Sequence, residues 1–73
     1  MGEGMDIRSG KHSVVVTSYL KQTADVRIFN VGGLCVATFS IEPGETIETP
    51  IYSEGVYMVH VDGARFKKKL VVK

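Results

Sequence analysis

Asp25-Val26-Arg27-Ile28-Phe29-Asn30-Val31-Gly32-Gly33-Leu34-Cys35-Val36-Ala37-Thr38-Phe39 is the stretch that decides the architecture. Val26 and Ile28 alternate with Asp25 and Arg27, a period of two that sets the apolar pair on one face of a strand. Asn30-Val31-Gly32-Gly33 follows, and Gly33 supplies the positive φ that a tight hairpin demands. The chain then returns over 33–41, with Leu34 and Val36 alternating against Cys35, Ala37 and Phe39. Two strands joined this closely must be antiparallel.

The same period runs outward in both directions. His12 to Ser18 carries Val14, Val15 and Val16, a β-branched run that disfavours helix. Glu42-Pro43-Gly44-Glu45 fits a type II turn, with Pro43 presetting φ at the second position and Gly44 taking the left-handed third. Thr46 to Ile51 is a short polar strand that Pro50 confines to an edge or a strand end. Gly55 to Val61 places Tyr57, Val59 and Val61 on one face and Val56, Met58 and His60 on the other. Asp62-Gly63 is a hairpin dipeptide, and Arg65 to Val72 forms the last strand. In that strand Phe66, Leu70 and Val72 share a phase with Lys68, which either snorkels to solvent or marks a bulge near Lys67. Tyr19 to Ala24 lacks the length and the apolar stripe of a helix and reads as a loop. About six strands over 12–73 specify an all-β fold, an antiparallel sandwich or a small barrel. Residues 1–11 read as a flexible, linker-like N-terminal segment.

Composition narrows the class of function. Seventy-three residues with 44% hydrophobic and 23% charged side chains make one ordinary globular domain with a thin core. The net charge of +1 gives no overall pull toward nucleic acid or anionic membrane. Charge is nevertheless segregated: Glu42, Glu45, Glu48 and Glu54 make the middle acidic, whereas Arg65, Lys67, Lys68, Lys69 and Lys73 make the C-terminus basic. No apolar run approaches the roughly 20 residues of a membrane span. The opening Met1-Gly2-Glu3-Gly4-Met5 has acid and glycine where a secretory signal has a basic and an apolar region, which suits a cytosolic protein or a piece of a longer chain. Cys35, alone in Gly-Leu-Cys-Val-Ala, is expected to act as a small buried hydrophobe and can form neither an internal disulfide nor a cysteine metal site.

No catalytic constellation emerges. The two histidines, His12 and His60, stand apart, without a nucleophile, a carboxylate pair or a second metal-ligating group. The glutamates of the middle lie at loose spacing in turn-rich sequence, and Gly32-Gly33 opens a strand instead of a phosphate-binding helix. Single-stranded nucleic acid would need aromatic platforms interleaved with basic residues, and Phe66 beside Lys67 to Lys69 is the nearest candidate; core is the better reading of Phe66. The expectation is a domain with no catalytic residues, no metal, no cofactor and no nucleic-acid partner, which acts by being recognised.

From Asp25 onward the residues resemble a known family. Val26-Arg27-Ile28-Phe29-Asn30-Val31-Gly32-Gly33-Leu34-Cys35-Val36 is similar to the V-x-I-Y-D-x-x-G-R-x-V hairpin of the type A C-terminal sorting domains of the type IX secretion system of Bacteroidetes. Pro43-Gly44-Glu45-Thr46 resembles the G-x-T turn after that hairpin. Gly55-Val56-Tyr57-Met58-Val59-His60-Val61 is close to G-x-Y-x-V-x-V, and Lys68-Lys69-Leu70-Val71-Val72-Lys73 is similar to the basic-then-apolar finish. Leu34 stands where the family has Arg or Lys, and Phe29 replaces Tyr.

The resemblance implies an immunoglobulin-like sandwich on a larger secreted or cell-surface precursor, addressed to an outer-membrane translocon. It implies that Gly55, Tyr57, Lys68, Lys69, Val72 and Lys73 form the recognised motif, with Gly33, Pro43, Gly44 and Gly63 as turn residues. The partners would be proteins of the secretion machinery or a neighbouring domain, with no insertion into a membrane. A second reading is a passive immunoglobulin-like accessory or adhesive module; a glycan platform would have to use Tyr19 and Tyr52, since the chain has no Trp.

Overall fold

The computed structural model describes residues 4–62 and 66–73. Its elements are β1 (Met5–Gly10), β2 (Ser13–Ser18), β3 (Ala24–Asn30), β4 (Cys35–Ile41), β5 (Thr46–Pro50), β6 (Gly55–Asp62) and β7 (Phe66–Val72). They form two antiparallel sheets, ordered β1-β2-β5 and β4-β3-β6-β7. This is the sandwich, and the small-barrel option falls away. The split follows the immunoglobulin plan, except that the fourth strand joins the sheet of the third, sixth and seventh.

Alternation drives the assembly. Ile7, Val14 and Val16 from the first sheet, with Ile51 just past β5, meet Val26, Ile28, Ile41, Val59, Val61 and Val72 from the second, all buried. Period two gives each strand one such face, and two sheets bury theirs only against each other. The central hairpin closes as its sequence requires. Asn30 Oδ1 accepts hydrogen bonds from the N–H groups of Gly32 at 2.9 Å and Leu34 at 3.0 Å, and Gly33 has φ 86°. Gly44 has φ 80°, and the Glu45 N–H reaches the Glu42 carbonyl at 3.0 Å, as a type II turn demands. Pro50 ends β5, an edge strand, where its missing N–H costs no ladder bond. The expected turn residue Gly63 lies outside the described residues.

Two features differ from the sequence reading, and a third decides between the alternatives it left open. Met5–Gly10, within the segment expected to be flexible, pairs with β2 from Met5↔Ser18 to Gly10↔Ser13 and buries Ile7. One inward isoleucine flanked by Asp6, Arg8 and Ser9 is too faint a pattern to announce a strand. Cys35 is exposed, not buried. The register slips between Ile28 and Phe29, so that Ala37 faces Ile28 but Cys35 faces Phe29; Val36 is the extra residue of a bulge. That slip turns Cys35 to the outer face. Finally, β7 has no bulge: its register against β6 is unbroken from Gly55↔Val72 to Val61↔Phe66, so Lys68 occupies the inward phase.

Candidate functional site

The six residues expected to form the recognised motif all lie on the β6–β7 pair. Gly55 opens β6 opposite Val72 with φ 152°, a conformation that side-chain-bearing residues rarely adopt. Two residues on, Tyr57 turns inward and is buried, and its hydroxyl donates to the Ser53 carbonyl at 2.7 Å. A tyrosine near the start of the sixth strand, bonded to backbone just upstream, is the tyrosine corner of immunoglobulin-like sandwiches. It pins the β5–β6 crossover to the second sheet. Val72 is 1% exposed and contributes about 1.5–3 kcal/mol by its burial.

Lys68 resolves the phase conflict. Its stem starts on the inward phase of β7, and its Nζ donates to the Ile7 carbonyl of β1 at 3.0 Å. Each of these two strands is the edge of its sheet, so Lys68 ties the sheets together along one side. An inward-pointing lysine also blunts β7 as a template for another strand. The C-terminus is held a second way: the His12 N–H donates to the Lys73 backbone oxygen at 3.1 Å, while the Ile51 N–H reaches the His12 carbonyl at 2.8 Å. His12 adopts φ 57°, a left-handed conformation to which histidine is better suited than most residues. Fixed by their backbones, Lys69 and Lys73 leave their side chains exposed.

The sequence matches the family described as the secretion system C-terminal sorting domain over residues 9–73, from the end of β1 to the last residue of the chain. The chain belongs to this family. It is a C-terminal sorting signal recognised by type IX secretion, so the domain interacts with that machinery and belongs to a secreted or cell-surface protein. No curated protein and no solved structure matches the chain.

Within the sorting domain the motif residues divide by exposure. Tyr57 and Val72 are buried, Gly55 is half-buried, and Lys68, though exposed, is bonded to Ile7; Lys69 and Lys73 are exposed and face outward. Sequence reasoning missed Ser53, Ile7 and His12, which hold three of these residues in place. The Tyr57–Ser53 contact has a sequence signal, an inward tyrosine two residues after the glycine that opens a strand. The partners of Lys68 and Lys73 were not readable, because both lie in the N-terminal hairpin, far away in sequence.

Other candidates do not converge. His12 sits in the β1–β2 turn and His60 on the outer face of β6, its ring 6.3 Å from that of Phe29 in a tilted arrangement. Among the described residues no three His, Cys, Asp or Glu side chains gather where they could hold a metal ion. Tyr19 and Tyr52 are 53% and 91% exposed, yet they lie at opposite ends of the β2–β5 ladder and make no common platform. No helix among the described residues is long and apolar enough to cross a membrane.

Proposed function

We propose that the sorting domain is a non-catalytic address on a larger precursor bound for the outer membrane, and that the machinery reads the exposed side of its C-terminal hairpin. In this reading Lys69 and Lys73 are contacted directly. Gly55, Tyr57, Lys68 and Val72 hold the strand that presents them. The observation that carries the proposal is the double anchoring of β7: Lys68 Nζ to Ile7 at 3.0 Å and the Lys73 oxygen to the His12 N–H at 3.1 Å. A tail meant to be read as an unfolded peptide has no use for such restraints; a tail read as a surface does. The direct partner is a protein of the type IX apparatus.

The test fuses the domain to the C-terminus of a periplasmic reporter in a type IX-competent host. Export of the reporter is expected, with loss on deletion of 69–73. A reporter that stays periplasmic, or a deletion that leaves export unchanged, overturns the proposal.

A further inference from the structure

β1 is the strand through which the cargo meets the domain. A C-terminal sorting domain follows its cargo, so the connection enters at Met5, at the pole of Ser18 and Thr46. The family match begins at residue 9, which leaves most of β1 outside the matched span. β1 is an edge strand that pairs with β2 alone, and Ile7 is its one buried side chain. An edge strand with so little in the core opens at a lower cost than the interior strands.

The two sides of β1 meet different partners. The Tyr19 N–H donates to the Gly4 carbonyl at 2.8 Å. By antiparallel alternation the backbone groups of Asp6, Arg8 and Gly10 then point to β2, and those of Met5, Ile7 and Ser9 point away from it. On that free side Lys68 Nζ donates to the Ile7 carbonyl at 3.0 Å, which joins the middle of β1 to the middle of β7. The end of β7 is held independently. Its Lys73 oxygen accepts from the His12 N–H at 3.1 Å, and the His12 carbonyl accepts from the Ile51 N–H at 2.8 Å. That second anchor is secured just past β5 and does not depend on the ladder of β1.

We propose that β1 is a releasable strap. Closed, it holds the recognised strand β7 at Lys68; detached from the cargo side, it frees the middle of β7 while the chain end stays pinned at His12. The inference rests on the sorting reading and adds a control over the strand that is read, exercised from the junction with the cargo. Coupling through one contact is reciprocal: whatever factor Lys68 contributes to closing β1, closed β1 contributes to holding β7. A strand that served only to fill the core would act on every neighbour alike, whereas the strap acts on β7 through Lys68.

The experiment measures residue-resolved amide exchange on the complete domain and export of the reporter fusion. Arg8→Pro removes an N–H from the β1–β2 ladder without changing a core side chain or Lys68. It should speed exchange of the β7 amides bonded to β6 by about fivefold, the equivalent of the one hydrogen bond lost to Ile7. The amides of β3, His12 and Ile51 should keep their rates. In a Lys68→Met background, Arg8→Pro should add nothing further in β7. Export of Arg8→Pro should fall although Lys69 and Lys73 are untouched, and Arg8→Ala, which loses the same side chain but keeps the N–H, should match wild type in both readouts. If Arg8→Pro does not fold, Lys68→Met tests the coupling in reverse, and unchanged exchange in β1 overturns the inference. Equal acceleration of β3 and β7, or normal export of a folded Arg8→Pro domain, also overturns it and leaves the sorting reading standing. Failure of the wild-type fusion to leave the periplasm overturns the sorting reading itself, and the inference with it.

Discussion

Replacing Tyr57 by Phe separates shape from recognition within the sorting motif. The ring is buried at 6% exposure and stays in place in the variant; the change removes only the hydroxyl that donates to the Ser53 carbonyl at 2.7 Å. A neutral hydrogen bond of this kind contributes about 0.5–1.5 kcal/mol net. The lower part of that range applies if water reaches the freed carbonyl, since Ser53 itself is exposed. For a domain of this size each kcal/mol moves the thermal midpoint by about 4–8 °C, so a loss of about 0.5–1 kcal/mol should make Tyr57→Phe melt roughly 2–8 °C lower. Tyr57→Ala should cost about 3–5 kcal/mol, a large part of the roughly 4–11 kcal/mol available to such a domain. Calorimetry on the purified domain gives the midpoints, and the reporter fusion gives export at a temperature where both remain folded. The expected result is a lower midpoint with export retained in Tyr57→Phe. Loss of export at an unchanged midpoint would mean that the partner reads the hydroxyl, and would refute the assignment of Tyr57 to shape.

Other outcomes follow from single contacts. Lys68→Met keeps the aliphatic stem but removes the ammonium bonded to Ile7, and should cost about 1 kcal/mol, with amide exchange accelerated in β1 and not in β3. Gly44→Ala places a side chain at φ 80° with no neighbour within 4 Å, so its cost is conformational, about 1–2 kcal/mol, seen as a lower midpoint in denaturant. Cys35 should react fully with a maleimide in the native state at the rate of a free thiol; a rate that rises only on denaturation would contradict the bulge that exposes it.

The fold was legible in the sequence wherever burial imposes a period. β3 and β6 alternate cleanly because each is an interior strand with one face in the core, and Gly33 and Gly44 were legible because only a positive φ explains glycine at those places. β1 escaped notice because an edge strand that buries little beyond Ile7 leaves no run to detect. Cys35 misled for a related reason: alternation places a residue on a face only while the register holds, and the bulge at Val36 is not encoded in any periodic signal. At the candidate site, the resemblance nominated the motif residues, and inward phase alone placed Tyr57 and Val72 in the core. Lys68 shows what remains hidden. Its position among Phe66, Leu70 and Val72 announced a conflict, but the resolution depends on a carbonyl 61 residues away in sequence.

The central claim is that this folded domain is a signal read by type IX secretion. The most direct measurement places the reporter fusion in two hosts that differ only in the presence of the type IX translocon, and compares the reporter on the surface and in the medium with that in the periplasm. The account predicts export in the first host and periplasmic retention in the second. An identical distribution in both would contradict it.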